Sequence, residues 1–402
     1  MSNKKIVYLN LGNSGSTGTI IRGISEKARN AGYDTFFCYP DEERNVELQK
    51  NDYIIGDCLF HKINQKLTYY TGFDGCFSFV STIAFFRYIN TVKPDLIHIH
   101  NIHNSYINIP MFFNYVKKHN IKIVWTLHDC WAFTGHCPHF ISVKCEKWRS
   151  GCFSCPKYRE YPHMLIDSSK MMWSKKRKWF TGVENLTIVT PSNWLASLVK
   201  ESYLSSYAVK IINNGIDLQE FKPTHSSFRE EHGITNKKVL LGVAFDWSSK
   251  KGLDEFNRLA EEMSNEYSIV LVGLENNSIY VNNKIITIKR TSSKKELAEI
   301  YSTADVFINP TYEDNFPTVN IEALACGTPV ITYDTGGAKE MLNPTCGMWI
   351  KTGDYPGLKK GIDEMIRRNI SAEACITQAS LFDKNQKFRE YIELYQNELQ
   401  EK

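Results

Sequence analysis

Residues 306–340 read VFINPTYEDNFPTVNIEALACGTPVITYDTGGAKE. The first four residues make a short apolar strand, and a loop rich in Pro, Asn and acidic residues follows. From about Thr318 the pattern turns helical until Gly327 stops it. Residues 329–333 form a second strand, closed by Gly336 and Gly337. Strands that are apolar throughout, joined by a helix, predict a parallel sheet covered on both faces. Working outward, strands are expected at 239–244, 269–273 and 285–289. The intervening helices carry Leu253, Phe256, Leu259, Ala260 and Met263 on one face, and Leu297, Ile300, Tyr301 and Ala304 on another. Toward the amino terminus the same rhythm returns, with strands at 6–9, 35–38, 96–100, 121–127 and 186–189 and helices at 19–31 and 110–119. The expected fold class is α/β, with two doubly wound domains in tandem. The joint falls near 214–224, where NNGID and Pro223 break the pattern. A last helix over 384–401 presents Phe388, Tyr391, Ile392, Tyr395 and Leu399, and is expected to pack back on the first domain. The expected bounds are 1–216 (with a Cys-rich insertion at 130–157), 217–382 and 383–402.

Composition narrows the function. Of 402 residues, 42% are hydrophobic and 23% charged, which excludes a disordered chain. Lys and Arg number 48 against 44 Asp and Glu, and a net charge of +4 points to no nucleic-acid partner. The apolar run at 77–89 is too short to span a bilayer. The start, MSNKKIVYLN, is too weakly apolar for an export signal, so a cytoplasmic chain with reduced thiols is expected. Basic residues interleaved with aromatics at 60–88 and 170–180 suit either a solvated helix face or peripheral contact with an anionic membrane.

Five of 11 Cys crowd into one stretch. Cys137, Cys145, Cys152 and Cys155 are spaced C-x7-C-x6-C-x2-C, and the last pair suits tetrahedral zinc. His136 or His139 can stand in for one thiolate. Free thiols or a disulfide are the alternatives. Four protein ligands would leave no open position, so any zinc here is expected to be structural.

In doubly wound sheets ligands meet the carboxyl ends of the strands, and a cleft between two domains is the expected site. The first strand runs into LNLGNSGSTGTI, where Gly12, Gly15 and Gly18 let backbone N–H groups approach an anion or hydroxyls. DLIHIHNIH and TLHDCW place His98, His100, His103, His128 and Asp129 at two neighbouring strand ends. Imidazoles there can bind sugar hydroxyls or phosphate and carry a proton. In the second domain Lys251 precedes Gly252 at a helix start, where an ammonium and free N–H groups can hold a diphosphate. Asp314 lies on the loop before the helix at Thr318. Glu322 is expected in that helix's first turn, able to accept from a ribose diol.

With these pieces assembled, the chain resembles a family-4 glycosyltransferase of the GT-B fold, of the kind that builds capsule, colanic acid or other exopolysaccharide. The resemblance rests on GNSGSTG, DLIHIHNIH, WTLHDCWAFTGHC with the later GCFSCP, TPSNWL, INNGID, KKGLDEF and EDNFPTVNIEALACGTPVITYDTGG. It implies two Rossmann-like domains facing across a cleft and a retaining transfer from a nucleotide-diphosphate sugar to a glycan acceptor, expected to be lipid-linked. No metal is implied for the transfer itself. The family's Glu-x7-Glu signature maps onto Asp314 for the sugar and Glu322 for the ribose; Glu313 lies one residue out of register. The diphosphate Lys maps onto Lys251. The Arg that usually accompanies it maps onto Asp246, which leaves Lys250 as the substitute cation. The resemblance gives catalytic roles to Lys251, Asp314 and His128. It places the donor against Gly15, Lys250, Phe316, Pro317, Thr318, Val319, Asn320 and Glu322, and the acceptor near His100, His103 and Asp129. A nucleotide-sugar epimerase of the same fold and a non-catalytic glycan- or nucleotide-binding subunit are the competing expectations.

Overall fold

The computed structural model describes residues 3–275 and 279–400. One unit takes in the chain through Asn213 and again from Lys387; the other runs from Asn214 to Gln386.

The first unit holds β1 (Lys5–Leu9), β2 (Asp34–Pro40), β3 (Asp52–Ile55), β4 (Leu96–Ile99), β5 (Lys122–Thr126), β6 (Leu186–Thr190) and β7 (Ala208–Ile211). All pair in parallel, in the order β3-β2-β1-β4-β5-β6-β7. The second holds β8 (Lys238–Val243), β9 (Tyr267–Val272), β10 (Ile285–Ile288), β11 (Val306–Asn309), β12 (Val330–Tyr333) and β13 (Gly347–Ile350), again parallel, ordered β10-β9-β8-β11-β12-β13. Both sheets are doubly wound. The strand order reverses between β1 and β4 and between β8 and β11, where doubly wound sheets receive ligands.

Central strands are apolar because both faces are covered: every residue of β4, β6, β11 and β12 is buried. Three strands escape the sequence reading, namely β3, β7 and β13. All lie at sheet edges, where one side meets solvent and the apolar run thins.

The helix after β1 corrects an expectation. It spans Gly15–Asn30, so Gly18 lies inside its first turn rather than on the loop. A Cβ on Gly18 would sit 2.5 Å from the Asn13 carbonyl carbon, so the helix closes on the loop only because the residue is glycine.

The last helix, Lys384–Leu399, packs on the first sheet from Lys387 onward. Tyr395 and Tyr391 reach His98 and Thr126, at 2.6 and 3.3 Å. Phe388 lies where a Cβ on Gly23 would meet its ring at 2.2 Å. Burying one such side chain stabilises by roughly 1.5–3 kcal/mol.

Candidate functional site

In the second unit, two loops converge beside the β8/β11 reversal. The loop after β8 ends in the turn Ser249–Lys251 and Gly252, whose φ is +77°. Gly252 packs so closely on Pro310 that a Cβ would sit 2.4 Å from its ring. Tyr312 donates its backbone N–H to the Lys250 carbonyl at 2.8 Å, joining this loop to the one after β11. The joined loops set two cation–carboxylate pairs in register. Lys251 Nζ lies 2.8 Å from Asp314 Oδ2, and Lys250 Nζ 3.9 Å from Glu313 Oε2. Glu313, one residue out of the family register, is therefore part of the cluster. The loop with Gly336 locks Asp314 from behind: a Cβ on Gly336 would lie 1.9 Å from the Asp314 carbonyl oxygen. Asp246 is exposed.

The helix Thr318–Ala325 starts after Pro317 with no side-chain cap; Asn320 donates its N–H to the Pro317 carbonyl at 3.1 Å, which leaves the N–H groups of Thr318 and Val319 to meet an anion. Glu322 corrects the sequence reading. It stands in the second turn, not the first, and the Tyr301 hydroxyl donates to its Oε2 at 3.1 Å. Burial raises its carboxyl above the ordinary range. Phe316 precedes this helix. Its ring is buried in the core against Phe382, so only its backbone can face a donor. Val319 packs on the same core. Asn320 is fully buried, accepts from Asn309 at 2.8 Å, and its Nδ2 finds no partner among the described residues.

In the first unit, the loop between β1 and its helix is fixed by Asn13, which bonds the Tyr39 hydroxyl and both backbone groups of Val46. Gly15 has φ +71° and open space where a Cβ would point. At the ends of β4 and β5, His100, His103, His128 and Asp129 line one small cavity of about 10 Å³. His100 Nδ1 and His128 Nε2 are 2.9 Å apart, so one imidazole donates to the other. Burial pushes His128 down to about 4, and holds His100 well below its ordinary value with help from His98 and His128. Both rings are thus neutral near pH 7. His103 Nε2 stands 3.5 Å from Asp129 Oδ2; burial works to raise the Asp129 carboxyl, but His103, His139 and the Trp131 amide together keep it below the usual carboxylate range. The fourth histidine of the motif is a core residue: His98 is fully buried between Tyr395 and Thr126.

Sequence reasoning missed Tyr301 on Glu322, and Tyr161, whose hydroxyl lies 3.3 Å from His103 Nδ1. Neither sits in a motif. Four of the five cysteines of the insertion, Cys137, Cys145, Cys152 and Cys155, line a separate cavity in this unit.

Known proteins share this framework. A model for Glycosyltransferase Family 4 matches residues 17–220, half of the chain, and one for Glycosyl transferases group 1 matches residues 225–382. WcaC of Escherichia coli, named for glycosyl transfer in colanic acid biosynthesis, is 28% identical over 321 residues, or 76% of this chain and 77% of that one. The N,N'-diacetylbacillosaminyl-diphospho-undecaprenol alpha-1,3-N-acetylgalactosaminyltransferase of Campylobacter jejuni is 28% identical over 200 residues, 45% of this chain and 52% of its own. Among solved structures, the sucrose-phosphate synthase of Thermosynechococcus elongatus superposes with a TM-score of 0.72 at 15% identity, covering 98% of this chain and 99% of that one. At that identity the likeness speaks for the fold alone, which is of the GT-B kind. With one family model spanning half of its length and a second covering most of the remainder, the chain belongs to glycosyltransferase family 4.

Proposed function

We propose that this enzyme moves a sugar from a nucleotide-diphosphate sugar to a lipid-linked glycan in the synthesis of a surface polysaccharide, with retention at the anomeric carbon. The observation that carries the reading is the pair of lysines at the β8/β11 reversal beside the uncapped helix at Thr318. Departure of the nucleotide diphosphate puts negative charge on its oxygens. Lys251, Lys250 and the amides of Thr318 and Val319 stabilise that charge where it develops. The Lys251–Asp314 pair is partly exposed, and such pairs hold by only about 0–1 kcal/mol, so a diphosphate displaces Asp314 at small cost. The freed carboxylate then orients the sugar through its hydroxyls. The second lysine takes the place that Asp246 cannot fill. Glu322, positioned by Tyr301, receives the ribose diol. In the first unit, neutral His128 hydrogen-bonds the acceptor sugar without bringing a competing cation. Bond breaking at the anomeric carbon and bond making to the acceptor oxygen occur on one face, and the acceptor proton passes to the departing phosphate.

A membrane-side acceptor fits the surface. Among the described residues no helix is long and apolar enough to cross a membrane. The helices Cys58–Thr71 and Phe79–Val92 nevertheless expose Leu59 (67%), Phe60, Tyr70, Phe79 and Val80 (71%). Leu165 donates its N–H to the Tyr69 carbonyl, so exposed Leu165 and Ile166 lie beside the end of the first of these helices, and Lys62, Lys66 and Lys170 lie exposed on these segments. The helix Ser169–Phe180 contributes less than its sequence suggests, because Trp173 and Lys176 are buried. This face suits an anionic lipid surface.

The direct test offers a panel of nucleotide sugars with a lipid-linked acceptor and follows the product's anomeric proton by NMR. An α-linked product from an α-linked donor meets the expectation. Donor turnover to a free epimer without acceptor, or no turnover across the panel, defeats it. Cosedimentation with vesicles containing anionic lipid tests the location, and a Leu59→Ser/Phe60→Ser variant should remain in solution.

A further inference from the structure

The insertion that follows Asp129 brings Cys137, Cys145, Cys152 and Cys155 to one cavity of about 10 Å³. That volume holds about one water-sized guest, which excludes an organic ligand and admits a single ion. Trp148 and Phe140, with ring centroids 5.3 Å apart, form the apolar part of the wall. Cys137 and Cys155 already meet thiol to thiol. The backbone is set for sulfur ligands as well. Gly135 donates its N–H to Cys152 Sγ at 3.2 Å, and Lys147 binds the Phe153 and Ser154 carbonyls at 3.0 Å each, which fixes the C-x2-C turn. Two lysines, Lys147 and Lys157, line the cavity. Among the described residues no three of these side chains stand in finished ligand geometry. The ion must draw the sulfurs inward from the Cys137–Cys155 pair.

We propose that these four cysteines bind one zinc ion as a structural site. Four thiols lose four protons to bind one Zn²⁺, giving a tetrathiolate of net charge −2 that the neighbouring lysines offset. With all four positions filled by protein, the ion takes no part in transfer. Its work is to fix the loop that begins at the acceptor-side residues. Cys130 donates its N–H to the Pro138 carbonyl at 2.9 Å, and Thr134 Oγ1 donates to the Cys137 carbonyl at 2.7 Å, so the metal-bound turn is tied to the segment carrying Asp129 and Trp131. This site stands independently of the reading of the donor and acceptor.

Elemental analysis of the full-length protein, purified without chelator, should find one zinc per chain. After stripping and reloading with Co²⁺, the visible spectrum should show the ligand-field and sulfur-to-cobalt charge-transfer bands of a tetrathiolate. The Cys152→Ser/Cys155→Ser variant should lose the metal and melt at lower temperature, whereas Cys58→Ser should keep both. Wild-type metal content decides the matter even if the double variant fails to fold. Protein free of zinc that gives no tetrathiolate cobalt spectrum overturns the proposal, as does a Cys137–Cys155 disulfide in the protein as isolated.

Discussion

The two sheets are wound alike, yet their carboxyl ends carry opposite chemistry. At the ends of β4 and β5, burial keeps the His100 and His128 rings neutral beside the Asp129 carboxylate, which leaves a hydrogen-bonding surface with no net cation from those two rings. At the ends of β8 and β11, partly exposed lysines face carboxylates and stay ready to change partners. Topology chose the two places; desolvation chose what each can bind. Neutral imidazoles beside a carboxylate suit a hydroxyl-rich acceptor, and a pair of lysines suits a diphosphate.

The comparison breaks most readily at Lys251. Lys251→Ala should lower kcat/KM by about two to three orders of magnitude, as removal of one stabiliser of developing charge does. Turnover near wild type would leave the second unit without its assigned chemistry. His128→Ala should cost less, about tenfold to a hundredfold, because one hydrogen bond contributes roughly 1–3 kcal/mol when its loss leaves a partner unmet. Steady-state kinetics with the acceptor varied should place that loss on the acceptor side; an unchanged rate would make the histidines structural.

Acid separates the two ends further. His128 titrates at about 4 when folded, against about 6.5 when unfolded. The unfolded chain therefore binds this proton first as pH falls, so the stability contribution is whole above about 6.5 and is lost progressively down to about 4. Denaturant melts across that window should show the loss, and it should shrink in His128→Gln. An identical acid profile in the variant would mean that the imidazole is not desolvated. The smallest expected effect probes the last helix. Gly23→Ala gains helix propensity of up to about 1 kcal/mol but drives a methyl into Phe388, at a cost of roughly 1–3 kcal/mol. The clash wins, and Tm should fall by a few degrees. A rise in Tm would show that Phe388 can move aside.

Much of this was legible in the residues. Runs such as LIHI at 96–99 and VFIN at 306–309 announce buried parallel strands, because only strands covered on both faces are apolar throughout. The edge strands AVKI and GMWI give no such signal, because solvent on one side relaxes the pattern. Lys251, Asp314 and His128 could be named because short motifs hold them at strand ends. That the Phe316 ring faces the core was not legible, because an aromatic beside a site motif looks the same whether it faces ligand or core. Glu322 fell one turn off even though the helix start at Thr318 was read correctly: as the fifth residue from that start it belongs to the second turn.

The sequence by itself determined the winding of both sheets and the loops that bear chemistry, since these follow from local apolar periodicity and from turns that only glycine can make. Tertiary structure alone decided which groups meet. Lys251 finds Asp314, His100 finds His128, Tyr301 finds Glu322 and Tyr395 seals His98, each across 20 or more residues. Charge state was settled there too, because a proton's affinity depends on how much water the fold removes, and no stretch of sequence records that.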